Sequence, residues 1–321
     1  MLGVTFQGKD AVEFVEKMVV ADVQGLKDGT GCYSLFTNEK GGIVDDTVLA
    51  KVDGNEVYLV LNAGCADKDL AHINKYLAPF QASGKDVTLT EHRDRGLLAL
   101  QGPRAAATLQ PLVKGLDLSK FYFSQFVKID INGAPCYLTR TGYTGEDGFE
   151  ISVPLDATEA LASTLVQDGV KLAGLGARDA LRLEAGLPLY GNDLEEHITP
   201  VEAGLTWTVG KPRREAFSML GGDVIKQQIA DGVSRRRVGL VVGKGAPARS
   251  HSQIVDMSGK EVGEVTSGAF SPTLQANIAM GYVDKALAKA GTELQVVVRG
   301  KSNSATVTKM PFVKTTYYRP E

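Results

Sequence analysis

The chain has 321 residues, a net charge of −3 and 43% hydrophobic residues, values typical of a globular protein with two or three domains. The acidic balance argues against a general nucleic-acid binder, which needs a dense basic surface, and no apolar run approaches the ~20 residues of a membrane span. The three cysteines and four histidines are scattered, so they indicate neither a disulfide framework nor a metal site, and they favour a reducing compartment.

The first half of the chain predicts two similar α+β units. Apolar residues at helical spacing, Val12, Phe14, Val15 and Met18, indicate a helix, and β-rich runs at 33–36, 43–52 and 56–61 indicate strands. A helix over 66–76 and a strand at 87–90 follow. A similar order of strands and helices then recurs between residues 97 and 166, so we expect two related lobes of ferredoxin-like type.

The remaining elements indicate a connecting region and a β domain. A helix is expected over 177–185, and Thr199-Pro200-Val201-Glu202 has the form of a capping box that begins a helix. From Arg237 onward, short β-rich runs alternate with turn-like segments, which is typical of a small antiparallel barrel or sandwich. The arginine runs at 213–214 and 235–237 are solvated loop charge by default, and a docking patch for an acidic carrier protein or for a folate glutamate tail is the alternative.

The segment Thr141-Gly142-Tyr143-Thr144-Gly145-Glu146-Asp147-Gly148-Phe149-Glu150 carries three glycines at every third position. Such a loop between two strands has two interpretations. It is an ordinary hairpin, since glycine and aspartate are turn residues, or a binding loop that ligands approach closely. In the second case Tyr143 offers a stacking face, and Glu150 offers a carboxylate for a planar group with two parallel N–H donors.

Asp45 and Asp46 are adjacent on a predicted strand, so their side chains point to opposite faces. Asp46 shares its face with Val44, Val48 and other apolar residues, whereas Asp45 lies on a mixed face. A carboxylate among apolar neighbours has a raised pKa unless a partner compensates, and such groups concentrate at functional sites. The alternative is a buried acid held by backbone N–H groups.

Several segments resemble one family in order and approximate spacing. They are the glycine loop above, Asn38-Glu39-Lys40-Gly41-Gly42-Ile43-Val44-Asp45-Asp46, Leu61-Asn62-Ala63-Gly64-Cys65, the segment from Ala177 to Gly186, Leu189-Tyr190-Gly191-Asn192-Asp193, and Lys309-Met310-Pro311-Phe312-Val313 with Tyr317-Tyr318. Together they resemble the aminomethyltransferases, the T-protein of the glycine cleavage system, over essentially the whole chain.

The resemblance implies an α+β fold, a three-domain cloverleaf with two ferredoxin-like lobes and a C-terminal antiparallel β-barrel. The expected domains are 1–88 with the catalytic aspartate, 89–228 with the folate site, and the barrel at 229–321. Asp46 matches the essential aspartate of the family. Folate-binding residues of the family match Glu150, Arg178 and Tyr317, and Asn62 and Tyr143 match other positions lining the site.

The implied reaction transfers the aminomethyl carbon from the lipoyl arm of H-protein to tetrahydrofolate, a co-substrate, with release of ammonia and formation of 5,10-methylenetetrahydrofolate. The resemblance to eukaryotic members implies a mitochondrial matrix protein, monomeric apart from transient carrier docking, without nucleic-acid or membrane partners. Family members usually carry several tens of residues before the point that matches Met1. The alternatives are a folate-dependent demethylase of a small methylated donor and a truncated, non-catalytic folate-binding protein.

Overall fold

The computed structural model describes residues 1–320 as three domains. The first lobe contains a five-stranded sheet in the order β2-β3-β4-β1-β5 and two helices that pack on one of its faces. Its elements are β1 (Leu2–Gln7), α1 (Ala11–Met18), β2 (Thr30–Thr37), β3 (Ile43–Asp53), β4 (Glu56–Leu61), α2 (Ala66–Ala82) and β5 (Thr88–His92).

The first lobe is ferredoxin-like with one added strand. Strands β5, β1, β4 and β3 are neighbours in that order and antiparallel, and β2 extends the sheet beyond β3. Alternate residues of the strands meet the helices. Val4 and Phe6 of β1 pack with Phe14 of α1 and Ile73 of α2 in one core, as expected for a sheet covered on one side. Since β5 runs to His92, this sheet ends later than the limit of 88 predicted from the sequence.

The second lobe repeats this plan with one strand fewer. Its sheet has the order β6-β9-β8-β7, so β6 occupies an edge, whereas the equivalent β1 of the first lobe lies between two neighbours. The elements are β6 (Arg95–Gln101), α3 (Ala105–Leu109), β7 (Phe126–Ile131), β8 (Ala134–Thr139), β9 (Gly148–Pro154) and α4 (Leu155–Gln167).

The uncovered faces of the two sheets pack against each other through aromatic side chains. The ring of Tyr58 on β4 lies 5.5 Å from that of Phe126 on β7 and 5.4 Å from that of Tyr137 on β8. Ala50 and Val60 of the first sheet complete this contact. Offset and edge-to-face aromatic pairs of this kind stabilise an interface beyond their buried area, so the lobes are held by their sheets.

The connecting region contains α5 (Leu175–Glu184), α6 (Arg213–Ala216) and α7 (Gly222–Asp231). The helix predicted to begin at Thr199 is absent. The capping hydrogen bonds do form, because Thr199 N–H donates to Glu202 Oε2 at 2.9 Å and Glu202 N–H donates to Thr199 Oγ1 at 3.2 Å. Gly204 then adopts a left-handed φ of 70°, which closes the segment as a turn after one revolution.

The third domain is a closed barrel in the order β10-β13-β12-β11-β14-β15. Its strands are β10 (Arg235–Val242), β11 (Gln253–Val255), β12 (Glu261–Ser271), β13 (Ala276–Asp284), β14 (Glu293–Val298) and β15 (Lys301–Thr308). The predicted α+β cloverleaf with two ferredoxin-like lobes and a barrel is therefore confirmed. The predicted boundary at 228 falls inside α7. Within residues 1–320, no helix has the length and apolar character that crossing a membrane requires.

Candidate functional site

Asp46 lies on β3 and is half-buried. Asn62, directly after β4, donates from Nδ2 to Asp46 Oδ1 at 3.0 Å and to the Asp46 carbonyl at 3.2 Å. Burial, followed by the nearby charge of Asp45, raises the Asp46 pKa to about 7, although hydrogen bonds from Tyr33 and Asn62 oppose the increase. A carboxyl group with this pKa exchanges protons readily near neutral pH, which is the requirement for general acid–base chemistry.

Asp45 is buried more completely than the strand pattern indicated. Its face was expected to be mixed, yet the residue is fully buried, because that side of β3 is covered by α2. Asp45 Oδ1 accepts a further hydrogen bond from the same Asn62 nitrogen, also at 3.0 Å. The side chains of Asp45 and Asp46 lie on opposite faces of β3, as predicted, and Asn62 at the end of the neighbouring strand contacts both.

The glycine-rich segment connects β8 to β9, so it is a hairpin loop. Arg140 stabilises it by a bidentate ion pair with Asp147, in which Nε donates to Oδ1 at 2.8 Å and Nη2 donates to Oδ2 at 2.6 Å. The side chain of Gln101 lies beneath it. A Cβ atom at Gly142 would come within 1.8 Å of Gln101 Oε1, and one at Gly148 would come within 2.6 Å of Gln101 Cδ, so a side chain at either position would displace the Gln101 carboxamide.

This loop holds Tyr143 against α5. The Tyr143 hydroxyl donates to the Pro188 carbonyl at 2.6 Å, and the guanidinium carbon of Arg178 lies 4.6 Å from the centre of the Tyr143 ring. Both residues line a cavity of about 400 Å³ between α5, the 189–192 segment and the barrel strand β12. The size suits a drug-sized organic ligand, and one fixed wall is the cation–π pair.

Glu150 is half-buried on β9, and burial raises its pKa while the charge of Arg178 opposes the increase. Within residues 1–320 its carboxylate accepts no hydrogen bond from a protein donor, unlike the carboxylates of Asp46 and Asp147. Its two oxygens are therefore available to accept hydrogen bonds from a ligand. The site at Glu150 therefore fits a ligand that supplies N–H groups.

Tyr317 belongs to the C-terminal tail, which docks on the second lobe. Its ring packs on Phe123 with centroids 4.4 Å apart, and the guanidinium of Arg319 lies 6.0 Å from its centre. No aromatic, ionic or hydrogen-bonding contact within residues 1–320 joins Tyr317 to the other five predicted site residues. Asp46, Asn62, Tyr143, Arg178 and Glu150 are connected by the hydrogen bonds and charge interactions described above.

Two groups of polar residues next to the site were not predicted. Asp69 on α2 is buried beside Asp45. The sequence pattern that could have indicated this burial is helical spacing, because Asp69 precedes the apolar residue Ile73 by one helical turn. Arg182 and Asp193 form a buried ion pair at 2.8 Å. The barrel covers Arg182, whose Nη2 donates to Ser267 Oγ of β12 at 2.7 Å.

The basic runs are only partly buried, since Arg214 and Arg236 are exposed. Arg213 is buried against Glu16, with an ion pair at 3.2 Å, and Arg237 is buried and donates to the Ala203 carbonyl at 2.9 Å. Arg235 pairs with Glu202 at 2.9 Å. Arg213, Arg235 and Arg237 stabilise contacts between the connecting region and its neighbours. Their charges are therefore engaged within the protein and are not free to bind a docking partner.

Comparison with known families gives two matches in sequence order. The GCVT N-terminal domain matches residues 1–213, and the glycine cleavage T-protein C-terminal barrel domain matches residues 235–314. The second match coincides with the closed barrel.

Individual relatives agree along the whole chain. The chain is 58% identical to "Aminomethyltransferase, mitochondrial" of Pisum sativum over 100% of this chain and 79% of the relative. It is 50% identical to the Homo sapiens protein of the same name over 99% of this chain and 79% of the relative. The crystal structure of the glycine cleavage system aminomethyltransferase T from Bartonella henselae superposes with a TM-score of 0.91 at 39% identity, covering 99% of this chain and 85% of that one.

Proposed function

Because the chain belongs to the aminomethyltransferase family of the glycine cleavage system, we propose that it transfers an aminomethyl carbon from a lipoyl arm to tetrahydrofolate. In this reaction the bonds from the carbon to the lipoyl sulfur and to the amino nitrogen break, and the carbon forms two bonds to folate nitrogens. The products are 5,10-methylenetetrahydrofolate, ammonia and the dihydrolipoyl arm. The half-buried carboxyl of Asp46, which Asn62 holds by a hydrogen bond of 3.0 Å, is the observation that carries this proposal.

Tetrahydrofolate fits the acceptor side of the site. Its 2-amino-4-oxopteridine ring presents an amino N–H and a ring N–H side by side, and a carboxylate accepts both in parallel. Glu150 lacks a protein donor and lies near the positive charge of Arg178. Arg178 and Tyr143 form a flat wall beside it. We assign pterin binding to Glu150 and Arg178, with Tyr143 and Asn62 lining the site and Tyr317 contributing from the tail.

The chemistry needs a proton carrier more than a covalent group. Holding a folate nitrogen against the aminomethyl carbon accounts for much of the acceleration. Protons must leave the attacking nitrogens and reach the departing groups. Asp46 accepts or donates at Oδ with little free-energy difference near neutral pH, and its ionised form stabilises positive charge that develops on the transferred carbon.

The donor is proposed to be the lipoylated H-protein. We propose that this chain is monomeric and binds the H-protein only transiently. The curated relatives are labelled mitochondrial, and we propose the mitochondrial matrix as the site of action. The carrier distinguishes this reaction from a folate-dependent demethylase, which would accept a small methylated donor in place of a protein-bound arm.

The test is tetrahydrofolate-dependent ammonia release from aminomethylated H-protein, with Asp46→Asn and Asp67→Asn compared. Asp67 is an exposed acid on α2 and serves as the control. We expect Asp46→Asn to retain folate binding and lose turnover by ~10²–10⁴-fold, the range for a general acid–base group, while Asp67→Asn stays near the unmodified rate. Full turnover by Asp46→Asn would remove the assignment of Asp46.

A further inference from the structure

A second pair of acids lies behind Asp46, on the helix-covered side of β3. Asp45 is fully buried and Asp69 on α2 is 1% exposed. The ammonium of Lys68 lies beside Asp69 Oδ1 and also donates to the carbonyl of Val44, the residue before Asp45, so the two acids are neighbours. Within residues 1–320 neither Asp45 Oδ2 nor either carboxyl oxygen of Asp69 accepts a hydrogen bond from a protein donor. Three buried carboxyl oxygens without a donor are rare in folded proteins.

The charges around this pair do not neutralise two carboxylates. Lys68 Nζ lies 3.3 Å from Asp69 Oδ1, but it donates to the Val44 carbonyl and to Tyr190 Oη, the latter at 3.3 Å. The other titratable groups nearby are the Cys65 thiol at the start of α2, Asp46 across β3, and the Tyr190 hydroxyl from the connecting region. All three are neutral or acidic, so a single ammonium faces the pair.

Two buried carboxyl groups in contact cannot both ionise without severe repulsion. One retained proton removes the repulsion and also supplies the missing donor, since a protonated carboxyl has an O–H and still accepts. Burial, followed by the interaction with Asp45, raises the Asp69 pKa far above its usual range. The geometry and the electrostatics therefore agree.

The pair is connected to Asp46 through one nitrogen. Asn62 Nδ2 lies 3.0 Å from Asp45 Oδ1 and 3.0 Å from Asp46 Oδ1, so the position of Asp45 determines where that N–H group points. We propose that Asp45 and Asp69 share a single proton, and that this acid pair is a positioning device that holds Asn62 against Asp46. The inference rests on the proposed role of Asp46.

The device has a predictable pH response. While the shared proton is present, Asp45 is held by Asp69 and leaves Asn62 oriented toward Asp46. When the proton leaves, the two carboxylates repel each other. Asp45 then becomes a stronger acceptor and draws the Asn62 amide away from Asp46. Turnover should therefore decline on the alkaline side of the profile, separately from the transition of Asp46 itself near pH 7.

The first experiment observes the proton directly. Difference infrared spectra of the unmodified protein and Asp69→Asn are recorded on the alkaline side of the Asp46 transition, where Asp46 is ionised. We expect the C=O stretching band of a protonated carboxylic acid in the unmodified protein and its loss in Asp69→Asn. Identical spectra would overturn the shared proton whatever the activities are.

The second experiment compares Asp69→Ala, Asp69→Asn and the matched control Ile73→Ala, a fully buried residue one turn along α2. We expect Asp69→Ala to lower kcat about tenfold or more with little change in the folate KM. Asp69→Asn, whose amide donates permanently to Asp45, should recover most of that loss and lack the alkaline decline. Ile73→Ala should lose stability through its cavity and keep the alkaline decline.

A double-mutant cycle of Asp69→Ala with Asn62→Ala tests the connection. Residues that act through one hydrogen-bond path give effects on kcat that are far from additive. Additive losses, or an unmodified pH profile in Asp69→Asn, would contradict the positioning role. If Asp46→Asn proves fully active while the infrared band is present, the role of Asp46 fails and the shared proton stands.

Discussion

The guanidinium carbon of Arg140 lies 4.0 Å from the centre of the Tyr318 ring, so the C-terminal tail rests on a side chain that is itself 2% exposed. Arg140 also donates to the Leu118 carbonyl at 2.6 Å and pairs with Asp147. One buried arginine thus joins the glycine-rich loop to the tail that carries Tyr317.

Tyr318→Ala should loosen this tail. It removes a cation–π contact of ~0.5–2 kcal/mol together with the stacking of Tyr318 on Tyr122, whose centroids are 5.6 Å apart. We expect faster proteolytic removal of the tail and weaker folate binding, measured by timed digestion and by titration. Tyr318→Phe is the control, since it keeps the ring and loses only the 2.9 Å hydrogen bond to the Ser119 carbonyl. Equal digestion rates for both variants would show that the ring does not hold the tail.

Glu150→Gln should weaken tetrahydrofolate binding. The substitution replaces one acceptor oxygen by an N–H donor that faces a pterin N–H, at a cost of ~1–3 kcal/mol or about five- to 150-fold in Kd. Direct titration of tetrahydrofolate measures it. Glu159→Gln changes an exposed glutamate on α4 and should leave Kd as it was. An unchanged Kd in Glu150→Gln would count against the pterin assignment.

The Asp46 pKa of about 7 predicts a rise in kcat/KM as pH increases through neutrality, because the ionised form accepts the proton. The same shift affects stability. Folded Asp46 holds its proton at pH values where unfolded Asp46 has lost it, so the free energy of unfolding falls from about pH 4 to pH 7. Asp46→Asn should remove the rise in kcat/KM and reduce the stability slope by the contribution of Asp46, as measured by rate profiles and urea unfolding across that range. The raised pKa values of Asp69 and Glu150 leave a remaining slope of the same sign. A stability slope that Asp46→Asn leaves unreduced would assign the proton to another group.

Asp193→Ala should destabilise the protein by ~3–5 kcal/mol, since it leaves the buried Arg182 charge without its partner. It also removes the acceptor for Ser267 Oγ, at 2.8 Å, and for the Leu189 N–H, at 2.9 Å. Asp179 pairs with the same arginine but is 42% exposed, so Asp179→Ala should cost only ~0–1 kcal/mol. Urea unfolding compares the two. Equal losses would mean that burial does not set the strength of the Asp193 pair.

The fold was largely predictable because its signals are local. Strand periodicity and turn spacing from Arg237 onward indicated a small antiparallel barrel or sandwich, and the resemblance implied the barrel. The recurring order of elements indicated two similar lobes. The segment beginning at Thr199 shows the limit of local signals. Its capping hydrogen bonds were foreseen, whereas the termination at Gly204 depends on a backbone angle that the surrounding structure imposes.

The site was predictable where strand parity or resemblance applied. Parity singled out Asp46 as an acid beside apolar neighbours. Asp69 was missed, because its partnership with Asp45 arises only when α2 packs on β3, and no spacing in the sequence relates residues from those two elements. Arg182 was missed for a similar reason, since its burial comes from the barrel.

Arg178 and Arg182 are one helical turn apart on α5. The first lies over Tyr143 at the proposed folate site, and the second is fastened to the barrel through Asp193 and Ser267. The two contacts are made by neighbouring turns of one helix. A displacement of the barrel strand that holds Arg182 would therefore also displace Arg178 relative to the Tyr143 ring.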